Sequence, residues 1–351
     1  MINLRLKIIG TFKDLSPFVV KLDKDENFTI QDRNVSVKNE NGNFTFMLSD
    51  DDVHGDICLV FPETKTLLRQ IRSSSTSNTI LLTEQCDQAC VMCSQPPKNK
   101  IYDHYHLYKE ALLLAPPDCI IGISGGEPTL EKKNLFPFIF NILEERPDIK
   151  FHILTNAQHF EDDDLALLSK INPSILWGVP IYSHDSGTHD EIVGKEGAYT
   201  GLLDGINILF KSGALVEIRT IVMEQNINDF PKIADFISRH MPHCETWAIM
   251  QLENIGYAKM NWSHIFVDTS KNFAPIENAL SIARIKNINT RLYNFPMCTI
   301  PKEWQDRSCK SISDWKNKYL DLCDECTMKS KCGGFFDWYN EENGFKKIGA
   351  L

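Results

Sequence analysis

The chain has 351 residues, 42% apolar and 24% charged, a globular balance that excludes disordered and collagen-like classes. Lys and Arg number 37 against 47 Asp and Glu, a net charge of −10, and so acidic a chain is a poor general partner for phosphate backbones or anionic membranes. Length alone suggests about two domains, although an α/β barrel of this size can be one.

The stretch MINLRLKIIGTFKDL lacks the apolar core of a signal peptide, and no run reaches the length of a membrane span, so a cytoplasmic protein is expected. Short β-prone runs (LRLKII, FVVKL, NFTI, NVSVK, NFTFML, DICLVF) then alternate with turn signals at Asn41-Gly42 and His54-Gly55. They predict a small β-rich N-terminal domain over residues 1–75, ending in the polar linker 73–78. From residue 79 strand and helix alternate. Strands are predicted at TILLT, CIIGIS, KFHILT, SILWGVPIY, ALVEIRTIVM and ETWAIMQL. The helices between and after them are IYDHYHLYKEALLLA, LEKKNLFPFIFNILEE, DDDLALLSKI, AYTGLLDGINILFKS, DFPKIADFISRH and NFAPIENALSIARIK. Gly213 is the predicted stop of the fourth, and the acidic run 161–164 suits the start of the third. Six such units with near-continuous apolar strands imply a parallel sheet covered on its outer face. The fold class is α/β, a partial (β/α)6 TIM-like barrel over 76–290, with chemistry expected where loops leave the C-terminal strand ends. Residues 291–351 form a Cys-rich, metal-binding extension.

Eleven cysteines is many for a cytoplasmic chain, where clustered thiols mean metal or catalysis. Cys58, Cys119 and Cys244 stand apart in apolar contexts and read as buried small hydrophobes. Cys86-x3-Cys90-x2-Cys93 follows the first barrel strand directly. Three thiolates on one short loop can wrap three corners of a [4Fe–4S] cluster and leave one iron open. Zinc is the competing reading, but structural zinc prefers four protein ligands. The nearest further candidates, His104 and His106, lie on an amphipathic helix.

With Gly125-Gly126-Glu127-Pro128 after the second strand, this cysteine motif resembles the signature of radical S-adenosylmethionine (SAM) enzymes. The resemblance implies that the open iron binds the methionine group of SAM. Reductive cleavage would then give a 5′-deoxyadenosyl radical that abstracts a substrate hydrogen. It also implies an electron donor such as flavodoxin or ferredoxin. Gly125 and Gly126 would let the backbone approach the methionine group, and Glu127 would accept from its ammonium. Thr155 and Asn156 match a Thr-Asn-Gly that faces SAM in the family, with Ala157 as a departure. Ser183 and Arg219 could hold the ribose or carboxylate, or serve as a cap and a buried ion pair. Met92 stands where the family has an aromatic residue and could pack beside adenine.

The tail carries Cys298, Cys309, Cys323, Cys326 and Cys332, and its core DLCDECTMKSKCGG reads as a metal-binding loop. Resemblance to peptide-modifying radical SAM enzymes implies a second iron–sulfur cluster there; a zinc ribbon is the alternative. Cys298, stiffened between Pro296 and Pro301, is expected to join Cys323, Cys326 and Cys332, with Cys309 left out. The aromatics Phe335, Phe336, Trp338 and Tyr339 are expected to plug the open side of the barrel.

Longer strings are more specific. TEQCDQ, MCSQPPK, GISGGEPTL, SISDWKN and CGGFF together resemble the His-Xaa-Ser system radical SAM maturases, C-type. That resemblance implies a precursor peptide with His-Xaa-Ser repeats as substrate and a paired radical SAM maturase as partner. The other readings are a radical SAM enzyme acting on a small molecule or tRNA, and a non-catalytic iron–sulfur or zinc scaffold subunit.

Overall fold

The computed structural model describes residues 4–23, 27–48, 53–99 and 103–351. Alternating β-prone residues at the start of the chain form eight strands. These are β1 Arg5–Lys7, β2 Ile9–Phe12, β3 Phe18–Lys21, β4 Phe28–Gln31, β5 Asn34–Asn39, β6 Gly42–Met47, β7 Ile57–Phe61 and β8 Thr66–Ile71. Two antiparallel sheets result, ordered β1-β8-β7-β3 and β2-β6-β5-β4. The run LRLKII is not one strand: it breaks at Ile8, whose amide bonds Lys65 O, and the chain passes from one sheet to the other. β5 buries Val35 and Val37 and exposes Ser36 and Lys38, the pattern of a sheet covered on one face. β7 differs. Cys58 and Val60 fill the core between the sheets, while Ile57 and Leu59 join the core of the barrel, against helix α1 (Tyr105–Leu113). Burial on both faces explains the unbroken apolar run DICLVF. β8 escaped prediction because it carries Arg69, which is buried in an ion pair with Asp56 at 2.6 Å.

The barrel strands are β9 Asn78–Thr83, β10 Ile120–Gly125, β11 Lys150–Leu154, β12 Ile175–Pro180, β13 Leu215–Ile221, β14 Thr246–Met250 and β15 Thr290–Tyr293. They pair in parallel and in chain order as one seven-stranded sheet. All six expected strands are present. The seventh, TRLY, is a correction to the six-unit count: four residues with Thr and Arg carry too little apolar pattern to read as a buried strand. Helices α2 Lys132–Glu145, α3 Leu165–Ile171, α4 Ser186–Val193, α5 Ala198–Lys211, α6 Phe230–His240, α7 Gly256–Ile265 and α8 Ala274–Ile285 complete the units. Polar α4 and α7 were not expected. The start of the first predicted helix, Ile101 and Tyr102, lies outside the described residues.

Strand alternation sorts the side chains. Ile121, Ile123, Phe151, Ile153, Trp177, Val179, Val216 and Ile218 are buried in the core shared with the helices. The alternate positions, including His152, Glu217, Arg219 and Tyr293, line the inner face. Helix α6 contributes Phe230, Ile233, Ala234 and Ile237, one stripe at helical spacing. Cys58 is buried as expected, whereas Cys119 and Cys244 are only half-buried. Among the described residues, no helix is long and apolar enough to cross a membrane.

Candidate functional site

The loop that follows β9 is clamped from three sides. On the first, the Gly126 amide donates to Thr83 O at 2.9 Å and the Glu127 amide to Gln85 O at 2.7 Å. A Cβ on Gly125 (φ 151°) would lie 2.1 Å from Thr83 O, and one on Gly126 would lie 1.8 Å from Gln85 O. The two glycines are therefore required by close approach of the cysteine loop itself. On the second side, the amides of Ala89 and Val91 donate to the last carbonyls of α4, Val193 O and Ile192 O, at 3.0 Å each. On the third, Tyr257 N donates to Cys93 O at 2.8 Å and Asn261 Nδ2 to Val91 O at 2.8 Å.

Within this frame Cys86, Cys90 and Cys93 are half-buried. Burial pushes the Cys86 thiol up to about 11 and Cys90 up to about 12, and raises Cys93. The charges of Cys93 and Cys86 raise Cys90 further, and that of Cys93 raises Cys86. Such thiols become thiolates when a cation shares their charge, so metal loading would release protons. The donor set fits an iron–sulfur cluster held by three thiolates. At the exit of β14, Gln251 Oε1 and Asn254 Oδ1 are buried acceptors without a partner, as a ligand with free N–H groups would need. Among the described residues, no three His, Cys, Asp or Glu side chains converge as donors to a single ion would.

Glu127 was expected to face the SAM ammonium. Its side chain is instead engaged by the protein and only 1% exposed. Oε1 accepts from Thr129 N (2.9 Å), Thr129 Oγ1 (2.5 Å) and Thr155 Oγ1 (2.6 Å), and Oε2 accepts from Asn156 N at 2.6 Å. Burial raises its carboxyl above the ordinary value, against the pull of these bonds. The carboxylate thus staples the turn after β10 to the exit of β11. Each oxygen serves one backbone N–H, so a Gln must turn its amide NH2 toward one of them. Glu127→Gln is expected to lower the unfolding free energy by about 1–3 kcal/mol, the cost of a buried donor left unpaired. A urea midpoint equal to that of the unchanged protein would refute the staple.

Thr155 and Asn156 are brought beside the loop, and Asn156 Nδ2 donates to Asp87 Oδ1 at 2.8 Å. Ala157, where the family has Gly, takes φ 60°, the left-handed region. Met92 is 4% exposed and packs with Tyr182, Ile192 and Met223 in a satellite core. Ser183 is buried, and its Oγ accepts from Asp185 N at 3.0 Å, with Asp185 in turn capping α4. Arg219 is on the inner face in an ion pair with Glu217 at 2.6 Å, its guanidinium 5.9 Å from the Tyr293 ring. Glu217 is buried, which alone would raise its carboxyl; His152, Arg219 and Tyr293 together hold it down at about 2. The ion pair left open for Arg219 is seen, whereas the cap of α4 is Asp185 rather than Ser183. The ion-pair partner Glu217 and the partners of Asp87 were missed, because strand register and chain crossings place them.

In the tail, β16 Asn317–Lys318 and β17 Phe335–Phe336 pair around the cysteines. Cys298 packs with Cys323 in a small core with Phe335 and Tyr339. Burial raises the Cys298 thiol, and Cys332 and Cys323 raise it further. Cys332 Sγ accepts from Met297 N at 3.4 Å, and Cys326 Sγ accepts from Leu351 N at 3.4 Å. Cys309 points elsewhere. Its thiol donates to Arg307 O at 3.7 Å and feels Arg291 and Glu217. Of the closing aromatics, Trp338 packs on Trp262 of α7 and Tyr339 on Phe345, beside these cysteines.

Comparison with known proteins agrees with this geometry. Residues 80–237 match the family model of the Radical SAM superfamily, and the chain thus carries a radical SAM domain. Over 161 residues it is 26% identical to the Fe-coproporphyrin III synthase of Methanosarcina barkeri, covering 44% of this chain and 39% of that protein. The solved structure of Streptococcus suis SuiB bound to S-adenosylmethionine is similar in fold, with TM-score 0.52 and 19% identity, over 63% of this chain and 51% of SuiB. SuiB bound to its precursor peptide SuiA gives TM-score 0.51 and 18% identity, over 64% of this chain and 49% of SuiB. The chain therefore spans about two fifths of that curated relative and half of SuiB.

Proposed function

We propose that the chain, through its radical SAM domain, reductively cleaves SAM and modifies a ribosomally made precursor peptide of the His-Xaa-Ser repeat type. The observation that carries the reading is the set of half-buried thiols of Cys86, Cys90 and Cys93 on a loop locked to the Gly125-Gly126-Glu127 turn. When bound, a [4Fe–4S] cluster and SAM supply one-electron cleavage and hydrogen abstraction. The chain's own residues hold and orient. Cys86, Cys90 and Cys93 provide three thiolates. The backbone at Gly125 and Gly126, with Thr155 and Asn156, forms the wall beside them, and Glu127 keeps that wall in register. Arg219, fixed by Glu217, presents a cation on the inner face for the SAM carboxylate or the substrate.

A peptide substrate draws support from the likeness in fold to SuiB, whose solved complex holds a precursor peptide. A paired maturase and a flavodoxin or ferredoxin donor follow from the same reading. The match to Fe-coproporphyrin III synthase favours a second reading, a small-molecule substrate. One experiment separates them. The protein, reconstituted anaerobically with iron, sulfide, SAM and a one-electron reductant, is expected to form 5′-deoxyadenosine and methionine. Added His-Xaa-Ser repeat peptide should raise that turnover and change mass. Absence of 5′-deoxyadenosine would overturn the chemistry; turnover indifferent to peptide would overturn the substrate.

A further inference from the structure

Asp87 follows Cys86 directly, and its carboxylate joins three segments far apart in sequence. Oδ1 accepts from Asn156 Nδ2 at the exit of β11. Oδ2 pairs with Lys195 Nζ, in the loop between α4 and α5, and lies 3.2 Å from His159 Nε2. Lys195 Nζ also donates to Gln158 Oε1 at 2.7 Å, and its own amide is tied to Asp190 O at 3.1 Å. His159 is braced in turn, since Lys132 Nζ donates to His159 O at 2.8 Å. Next to Lys195, Gly194 takes φ 65° and approaches so closely that a Cβ there would lie 2.9 Å from Ala89 O of the cysteine loop.

We infer that Asp87 and Lys195 form a charge-balanced latch, a pair of positioning residues that seats the cysteine loop and sets the electrostatic field at its metal centre. This rests on the reading of Cys86, Cys90 and Cys93 as cluster ligands. Two features separate the latch from an ordinary surface ion pair. Both side chains are half-buried, 23% and 34% exposed, so water screens the pair less than a fully exposed pair. Asp87 is also the residue directly after Cys86, so its charge lies one residue from a ligand. A negative charge beside the cluster opposes electron uptake, and Lys195 offsets it. Removing Lys195 leaves the Asp87 charge held only by Asn156 and His159, and removing Asp87 leaves the Lys195 charge only Gln158, so the two removals must act with opposite signs.

The test is a redox titration of the reconstituted protein without SAM, followed by electron paramagnetic resonance, in a background lacking the tail cysteines. Lys195→Met is expected to lower the midpoint potential and Asp87→Asn to raise it. Each shift should be on the order of tenfold in the reduction equilibrium, about 59 mV for one electron. The double variant should return close to the starting potential. Unshifted potentials, or shifts of the same sign, would overturn the latch. If a single variant loses its iron, recovery of iron in the double variant supports the charge balance, and continued loss overturns it. Failure of the unaltered chain to assemble any cluster would instead overturn the reading of the cysteine loop.

Discussion

Replacing Cys86, Cys90 and Cys93 together by Ala is expected to abolish 5′-deoxyadenosine formation and to remove one cluster's worth of iron. The loss should be complete, because all three thiols are removed together while the loop stays fixed to the Gly125-Gly126 turn, to the end of α4 and to Tyr257 through backbone bonds. Those bonds do not involve the thiols, so the fold should survive the change. Exchanging the three thiols for methyl groups loses only short-range bonds within the loop, Cys90 Sγ to Gln88 Oε1 and Cys93 Sγ to Gln95 O. Iron analysis after anaerobic reconstitution, with circular dichroism as the control on folding, decides the matter. Iron unchanged from the starting protein, or continued 5′-deoxyadenosine release, would refute the assignment.

The second large effect is expected in the tail, and it is unequal between two cysteines. Cys298→Ser should lose the tail metal, and Cys309→Ser should keep it. Cys298 sits in a short turn after Pro296 and packs with Cys323, within reach of the charge on Cys332. Cys309 bonds through its amide to Leu292 O of β15, and its thiol donates to Arg307 O and feels Arg291 and Glu217. Metal content of each variant in a background without the barrel cysteines measures the difference. Metal lost only from the Cys309 variant would refute the ligand choice, and zinc in anaerobically purified protein would refute the iron–sulfur assignment.

Local patterns carried the fold. A βα rhythm with apolar strands is written in consecutive residues, and each of the six strands it predicts is present in parallel order. TRLY was not legible, because a strand of four residues with two polar side chains depends on its neighbour: Thr290 pairs beside Trp247 only after α8 has returned the chain. Likewise LRLKII reads as one strand, and only the competing partner at Lys65 divides it.

The site divides along the same line. The spacing Cys86-x3-Cys90-x2-Cys93 and the pair Gly125-Gly126 could be read from sequence alone, since one short loop or turn determines what it can present. That glycine allows a close approach at 125 and 126 was legible, but the tightest neighbours seen are Thr83 O and Gln85 O of the adjoining strand and loop. Glu127 was legible as a carboxylate; that four protein donors already hold it was not. Asp87 with Lys195, and Glu217 with Arg219 and Tyr293, were decided by the tertiary structure. Sequence spacing specifies neighbours only over the few residues of a turn or loop. Partners separated by tens to a hundred residues are chosen by strand register and by the paths of the connecting loops, which a single sequence does not display.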